Sequence, residues 1–312
     1  MSMRLVRLVL AASLAAFAAG CGDKQPAGTA AAANANTPDA TIRKSADLLK
    51  QGDIAGLMQN ALPPADFAQL KADWGKTAEQ KQITDEDRRQ FQETMAKLTA
   101  PDAETKLYAE IEPELAKFDA QYQQQIPMYV AMGSGWLQGM VQQNKNLSDA
   151  DKQQALAAIG ALGGWVQKTR FTEPESVKKV VAITARTARE LDIKTLDEAR
   201  ALDFDKAMQK ARVALRGFKE ALAVYGFSID QTLDSVKPEV ISNDGKSAKV
   251  KVTYTLLGTP LSTTADMVNV DGRWYGKETI EHAKEHQREA AAAKSEAAAP
   301  AAPLPAEPPP KG

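Results

Sequence analysis

Hydrophobic and polar positions alternate with two different periods along this chain, and the change between them falls near Gly226. Before it, apolar residues recur at three- and four-residue spacing, which predicts helices with one buried face. Ile42, Ala46 and Leu49 form one such face; Val177, Val181, Thr184, Ala188 and Leu191 form a second; Met208, Val213, Leu215, Phe218, Leu222 and Tyr225 form a third. Helix-start chemistry accompanies them: Thr37 before Pro38, Thr84 with Asp87, Ser148 with Asp151, Thr172 with Glu175 behind Pro174, and Thr195 with Glu198. About seven to nine helices are expected between Asp39 and Gly226. Gly52, Pro63-Pro64, Gly75 and Pro101 punctuate them, and Pro113 and Pro127 mark kinks or breaks.

After Gly226 the period becomes two. Ala248, Val250, Val252, Tyr254 and Leu256 point one way, and Lys249, Lys251, Thr253 and Thr255 the other, which is a strand with one wet face. Asn243-Asp244-Gly245, Leu257-Gly258-Thr259-Pro260 and Asp271-Gly272 supply turns. A meander of three long strands follows, with a short fourth around Trp274 and Tyr275. The fold class is therefore mainly α with a small C-terminal antiparallel β-sheet, an α+β body in which the helices cover the meander. The expected organisation is 1–20 signal peptide, 21–38 tether, 39–226 helical region, 227–281 meander, and 282–312 charged helix with an Ala- and Pro-rich tail.

Composition fits this reading. At 44% hydrophobic and 25% charged the chain has enough apolar residues for a core. Lys and Arg number 39 against 40 Asp and Glu, so bulk charge favours neither nucleic acid nor an anionic surface as partner. A single cysteine excludes an intramolecular disulfide framework and multi-thiolate zinc sites.

That cysteine stands at an informative place. Met1 to Gly20 carries basic Arg4 and Arg7 and then a short apolar run through Leu8, Leu10, Leu14 and Phe17, the pattern of a secretory signal peptide. Its end, Ala18-Ala19-Gly20-Cys21, resembles the lipobox of Gram-negative bacterial lipoproteins, with Ala18 where leucine is usual. The resemblance implies a mature terminus at Cys21, lipidated with a diacylglycerol and a third acyl chain such as palmitate. Such a chain is anchored to a membrane without spanning it. Cleavage after Ala18, leaving a free thiol, is the alternative. Gly22 follows the cysteine where inner-membrane retention would place an aspartate, so the resemblance implies the periplasmic face of the outer membrane; the inner membrane and soluble periplasm are the alternatives. Gly22 to Asn36 is too poor in large apolar residues to fold and is expected to serve as a tether.

Two further fragments, Ala46 to Asp53 and Val268 to Trp274, resemble the opening helix and closing hairpin of NTF2-like domains. The resemblance implies a curved sheet over helices and no particular activity.

Candidate chemistry is sparse. His282-Ala283-Lys284-Glu285-His286 matches the H-x-x-E-H spacing of inverted zinc peptidases, in which two imidazoles share a helix face; Glu289 could add a ligand. No further ligand-bearing helix follows, so a metal-dependent hydrolase is the alternative reading and a solvated charged helix the first one. Ser176 and Lys179 match S-x-x-K without its companion motifs, and Glu110, Glu112 and Glu114 read as an exposed turn. Phosphate-binding glycine loops are absent from the sequence, so no nucleotide and no cofactor is expected.

The most distinctive stretch is Ile126 to Val166. Gly135 and Gly139, and Gly160 and Gly164, lie four apart on two apolar helices. The first expectation is a tightly packed core hairpin with close backbone approach at these glycines. The second is a groove lined by Met128, Met132, Trp136, Met140 and Trp165, taking an acyl chain, another apolar ligand or a partner helix of an envelope protein. On either reading the protein is expected to be a non-enzymatic binding or accessory module; a purely structural spacer is the remaining alternative.

Overall fold

The computed structural model describes residues 36–75, 83–145, 147–285 and 288. The expected signal peptide, Cys21, nearly all of the expected tether, His286, Glu289 and the expected C-terminal tail lie outside the described residues.

The chain folds as an α+β body, helices first and sheet last. The helices are α1 (Pro38–Gln51), α2 (Ile54–Ala61), α3 (Pro64–Ala72), α4 (Asp85–Thr99), α5 (Ala103–Tyr122), α6 (Ile126–Gln143), α7 (Asp149–Lys168), α8 (Pro174–Leu191), α9 (Leu196–Arg200), α10 (Phe204–Val224) and α11 (Ile229–Asp234). Four strands follow, β1 (Lys237–Asn243), β2 (Ser247–Leu256), β3 (Thr259–Val270) and β4 (Arg273–Gly276), and a last helix, α12, occupies 277–285.

Local chemistry sets most helix ends. Thr84 accepts from the Asp87 amide while the Asp87 carboxylate accepts from the Thr84 amide, a complete capping box that satisfies two otherwise orphan donors. Thr37, Ser148 and Thr195 cap α1, α7 and α9 in the same way with their side-chain oxygens. Thr172 does not cap α8. Glu173 takes that position, accepting from the Glu175 and Ser176 amides, while the Thr172 hydroxyl donates to Asp119 of α5. Pro113 lies within continuous α5, and Pro127 sits in the first turn of α6, where its missing N–H costs nothing. Pro113 thus breaks no helix, whereas the interruption between α5 and α6 falls just before Pro127, as expected.

The sheet runs β1-β2-β3-β4, antiparallel throughout. Val250 faces Ala265 and Val252 faces Thr263 across the β2–β3 ladder. Ala248, Val250, Val252, Ala265, Met267 and Trp274 bury one face against Ile42 of α1 and Val236. Each such large apolar side chain contributes roughly 1.5–3 kcal/mol of transfer free energy. On the wet face Lys249 stands opposite Asp266, 3.5 Å away, a favourable cross-strand pair. The β2–β3 connection is tighter than the four residues expected: Leu257 and Gly258 alone make the turn, both at positive φ, and Thr259 and Pro260 already belong to β3. Pro260 is tolerated because β4 pairs only with Met267 to Val270, so no ladder bond is lost beside it. β1 is an edge strand, with Pro238 near its start and a register shift between Val240 and Ser242. The region expected as pure meander also contains α11, and α12 starts at 277, immediately after β4.

A second core lies among the helices. Ile54, Phe204 and Met208 are buried, surrounded by Leu49, Met58, Phe67, Leu70, Trp74 and Leu215. Phe67 and Trp74 meet the Phe204 ring edge-on at 5.7 and 5.4 Å. Val177, Val181, Ala185 and Ala188 form the inner face of α8; Ala185 takes the place expected for Thr184, which is exposed. Phe218 of α10 is also exposed, and the neighbouring Gly217 is buried instead. A Cβ on Gly217 would lie 2.2 Å from Thr187 Oγ1, so this glycine lets α10 approach α8.

Candidate functional site

The α6–α7 hairpin differs from the rest of the body. The capped α7 lies against β3, and α6 packs on α7 from outside. The contact is made by Val130 and Ser134 of α6, which lie 3.4 and 3.2 Å from the Cβ position of Gly163. The expected close approach at Gly135, Gly139, Gly160 and Gly164 is not where the helices meet: nothing lies within 4 Å of a Cβ on any of them. Gly163 is the glycine at the crossing.

No residue of α6 is buried. Met128, Met132, Trp136 and Met140 are 53%, 64%, 66% and 53% exposed, and Tyr129 and Leu137 are exposed beside them. Steps of four residues turn a helix by about 40° each, so the four residues share a wedge of about 120°. Val130 and Ser134 lie on the other side, toward α7. α6 is therefore not a core element. It presents a continuous apolar stripe to solvent, on a helix of 18 residues without a single Asp, Glu, Lys or Arg. Large contiguous apolar surface on a folded chain marks an interaction site more often than scattered single residues do.

Trp165, expected in the same groove, does not join the stripe. Its indole N–H donates to the Tyr225 carbonyl at 2.7 Å, and its ring stands edge-on to Phe171 and Phe227 at 5.3 and 5.4 Å. Tyr225 closes the cluster by donating to the Phe171 carbonyl at 3.0 Å. This aromatic cluster fastens the end of α7 to α8 and α10; it is packing, not surface.

His282 projects from α12, 72% exposed, with Nδ1 3.8 Å from a Glu285 carboxylate oxygen. Its expected partners His286 and Glu289 lie outside the described residues. Among the described residues no three His, Cys, Asp or Glu side chains are grouped so as to hold a metal ion. Ser176 stands in the first turn of α8 with its amide held by Glu173. Glu110 pairs with Lys97 and Glu114 with Lys117, as exposed helix residues do.

One polar feature has no signature in the sequence. Beneath α7, Gln154 donates to the Tyr254 hydroxyl at 2.8 Å, while Gln154 Oε1 and Thr263 Oγ1 are buried without a hydrogen-bond partner among the described residues. Burial pushes the Tyr254 phenol up. Burial likewise raises the Glu278 carboxyl, helped by the Asp151 carboxylate and opposed by His282. These residues would each read as an ordinary polar position in a strand or helix, because only the docking of α7 brings them together.

No protein-family model, curated protein or solved structure matches this chain.

Proposed function

We propose that this protein is a lipid-anchored envelope lipoprotein acting as a non-enzymatic binding module, held to the periplasmic face of the outer membrane through Cys21 and presenting the outer face of α6 to an apolar partner. The observation that carries the binding role is the exposure of Met128, Met132, Trp136 and Met140 on one uncharged helix. Leaving such side chains in water forgoes the stabilisation that burial would give them, and a bound partner recovers it. The anchor rests on the apolar leader ending at Ala18-Ala19-Gly20-Cys21. Several acyl chains, each methylene worth about 0.8 kcal/mol, hold a protein on a membrane far more firmly than one. The described residues include no helix long and apolar enough to cross a membrane.

The test is mass spectrometry of the N-terminal peptide of the full-length chain expressed in a Gram-negative host. A peptide beginning at Cys21 with the mass of a diacylglycerol and a third acyl chain is expected, together with retention in outer-membrane fractions washed with alkaline carbonate. Cys21→Ser should abolish both. A peptide cut after Ala18 with an unmodified thiol overturns the anchor. For the binding role, a photo-crosslinker placed at position 136 in cells should capture a membrane or protein component, whereas one at exposed position 218 should not; equal labelling at both overturns it.

A further inference from the structure

We infer that the apolar partner of α6 is the surface of a lipid bilayer, on which the helix lies flat with Met128, Met132, Trp136 and Met140 turned toward the acyl chains. This rests on the anchored reading above, because anchoring places the body beside a membrane.

Four observations lead there. First, α6 carries no charged residue along its 18 positions, so bringing the whole helix into the interfacial zone strips water from no ion. The exposed faces of α4, α8 and α10 are studded with Arg, Lys and Glu, as at Arg89–Glu86 and Arg186–Glu220. Second, the side chains suit the zone. Trp136 and Tyr129 combine an apolar ring with a polar tip, the pairing enriched at membrane–water boundaries, and the three methionines conform to a fluid neighbour. The flanks are neutral, with Gln138 and Gln142 on one side, where a specific protein interface would carry a rim of charge and hydrogen-bonding partners. Third, at 1.5 Å per residue α6 is about 27 Å long but too polar on its other faces to span. Fourth, Asn36 follows Cys21 by only 15 residues, and at a maximum of about 3.5 Å per residue the body stays within roughly 50 Å of an anchored Cys21. A body held that close to the bilayer needs only weak intrinsic affinity to stay seated, because tethering makes the contact intramolecular. Since no basic residues take part, docking is apolar and nearly indifferent to lipid headgroup charge.

The experiment uses the mature chain with Cys21→Ser, which carries no acyl group, in flotation with phosphatidylethanolamine–phosphatidylglycerol vesicles and with phosphatidylcholine vesicles. The protein should float with both, with a partition coefficient changing less than twofold between low and high salt. Met132→Gln with Trp136→Gln should lower partitioning at least tenfold while leaving circular dichroism and thermal melting unchanged. Protein that stays at the bottom with both vesicles, or a double variant that floats like its parent, overturns the inference. So does a dimer in sedimentation that the double variant loses without any flotation, which assigns the face to a second copy. Each of these failures leaves the anchor standing, since that is read separately from the mass of the Cys21 peptide; loss of the acyl mass with flotation retained refutes the anchor alone.

Discussion

Two helix pairs in this molecule, α8 with α10 and α6 with α7, are built from similar lengths of helix and put them to opposite uses. Between α8 and α10, the buried Gly217 under Thr187 brings the backbones together, and the outward faces carry Arg186, Glu190, Arg216 and Glu220 in mutual ion pairs. Apolar atoms point in and charge points out. In the other pair, α6 offers Val130 and Ser134 to α7 and points its largest apolar side chains to solvent. The glycines follow the same division: Gly217 is tightly overlaid by Thr187, whereas Gly135 and Gly139 have open space where a side chain would stand. A glycine needed for packing and a glycine merely present on a surface look alike in sequence, and their neighbours separate them.

That contrast can be broken by mutation, beginning where the effect is greatest. Phe204→Ala empties the centre of the helical core between Phe67 and Trp74 and should cost about 3–5 kcal/mol in urea unfolding. Gly217→Ala places a methyl 2.2 Å from Thr187 Oγ1 and 3.0 Å from its Cβ, and should cost about 1–3 kcal/mol, most of it recovered when Thr187→Gly is added. Gly135→Ala meets nothing and should do the reverse, stabilising by about 0.5–1 kcal/mol through helix propensity; a loss there would mean that α6 is packed more closely than described. Trp136→Gln should change the unfolding free energy by no more than about 0.5 kcal/mol, since its ring supports no core. The last effect depends on pH. The Arg189 guanidinium, 2.6 Å away, holds the Glu104 carboxyl down to about 2, so the contribution of this exposed link between α5 and α8 is present above the ordinary glutamate range and fades as pH falls from about 4.5 toward 2. The stability difference between the parent and Glu104→Gln should shrink over that window, and a difference that persists at pH 2 assigns the effect to packing.

Features decided by near neighbours in the chain were legible beforehand. The Thr84–Asp87 capping box and the alternation through Ala248, Val250 and Val252 depend on residues a few positions apart, and both stand as the pattern predicted. Thr172 was misleading because its hydroxyl is taken by Asp119, which the chain brings up from a different helix. For α6 the sequence singled out Met128, Met132, Trp136 and Met140, with Trp165, as the lining of a groove, yet apolar residues at helical spacing describe a buried face and a docking face equally well. Their exposure depends on no described element being packed over α6, and no local pattern records that. Trp165 shares the composition of the stripe but is drawn inward by the Tyr225 carbonyl and the rings of Phe171 and Phe227 in later connecting segments.

The outer strand of the sheet has a consequence for molecules at high local density. β1 exposes Val240 and Ile241 and has one unpaired side, which is the geometry that invites another strand. Pro238 withholds a donor near the start of that side, and the irregularity between Val240 and Ser242 bends the remainder out of line. An incoming strand finds only a short run in register before the ladder fails. Many copies crowded on one surface can therefore touch edge to edge without polymerising into a shared sheet, and the protein keeps sticky side chains on its rim at little risk of fibre growth.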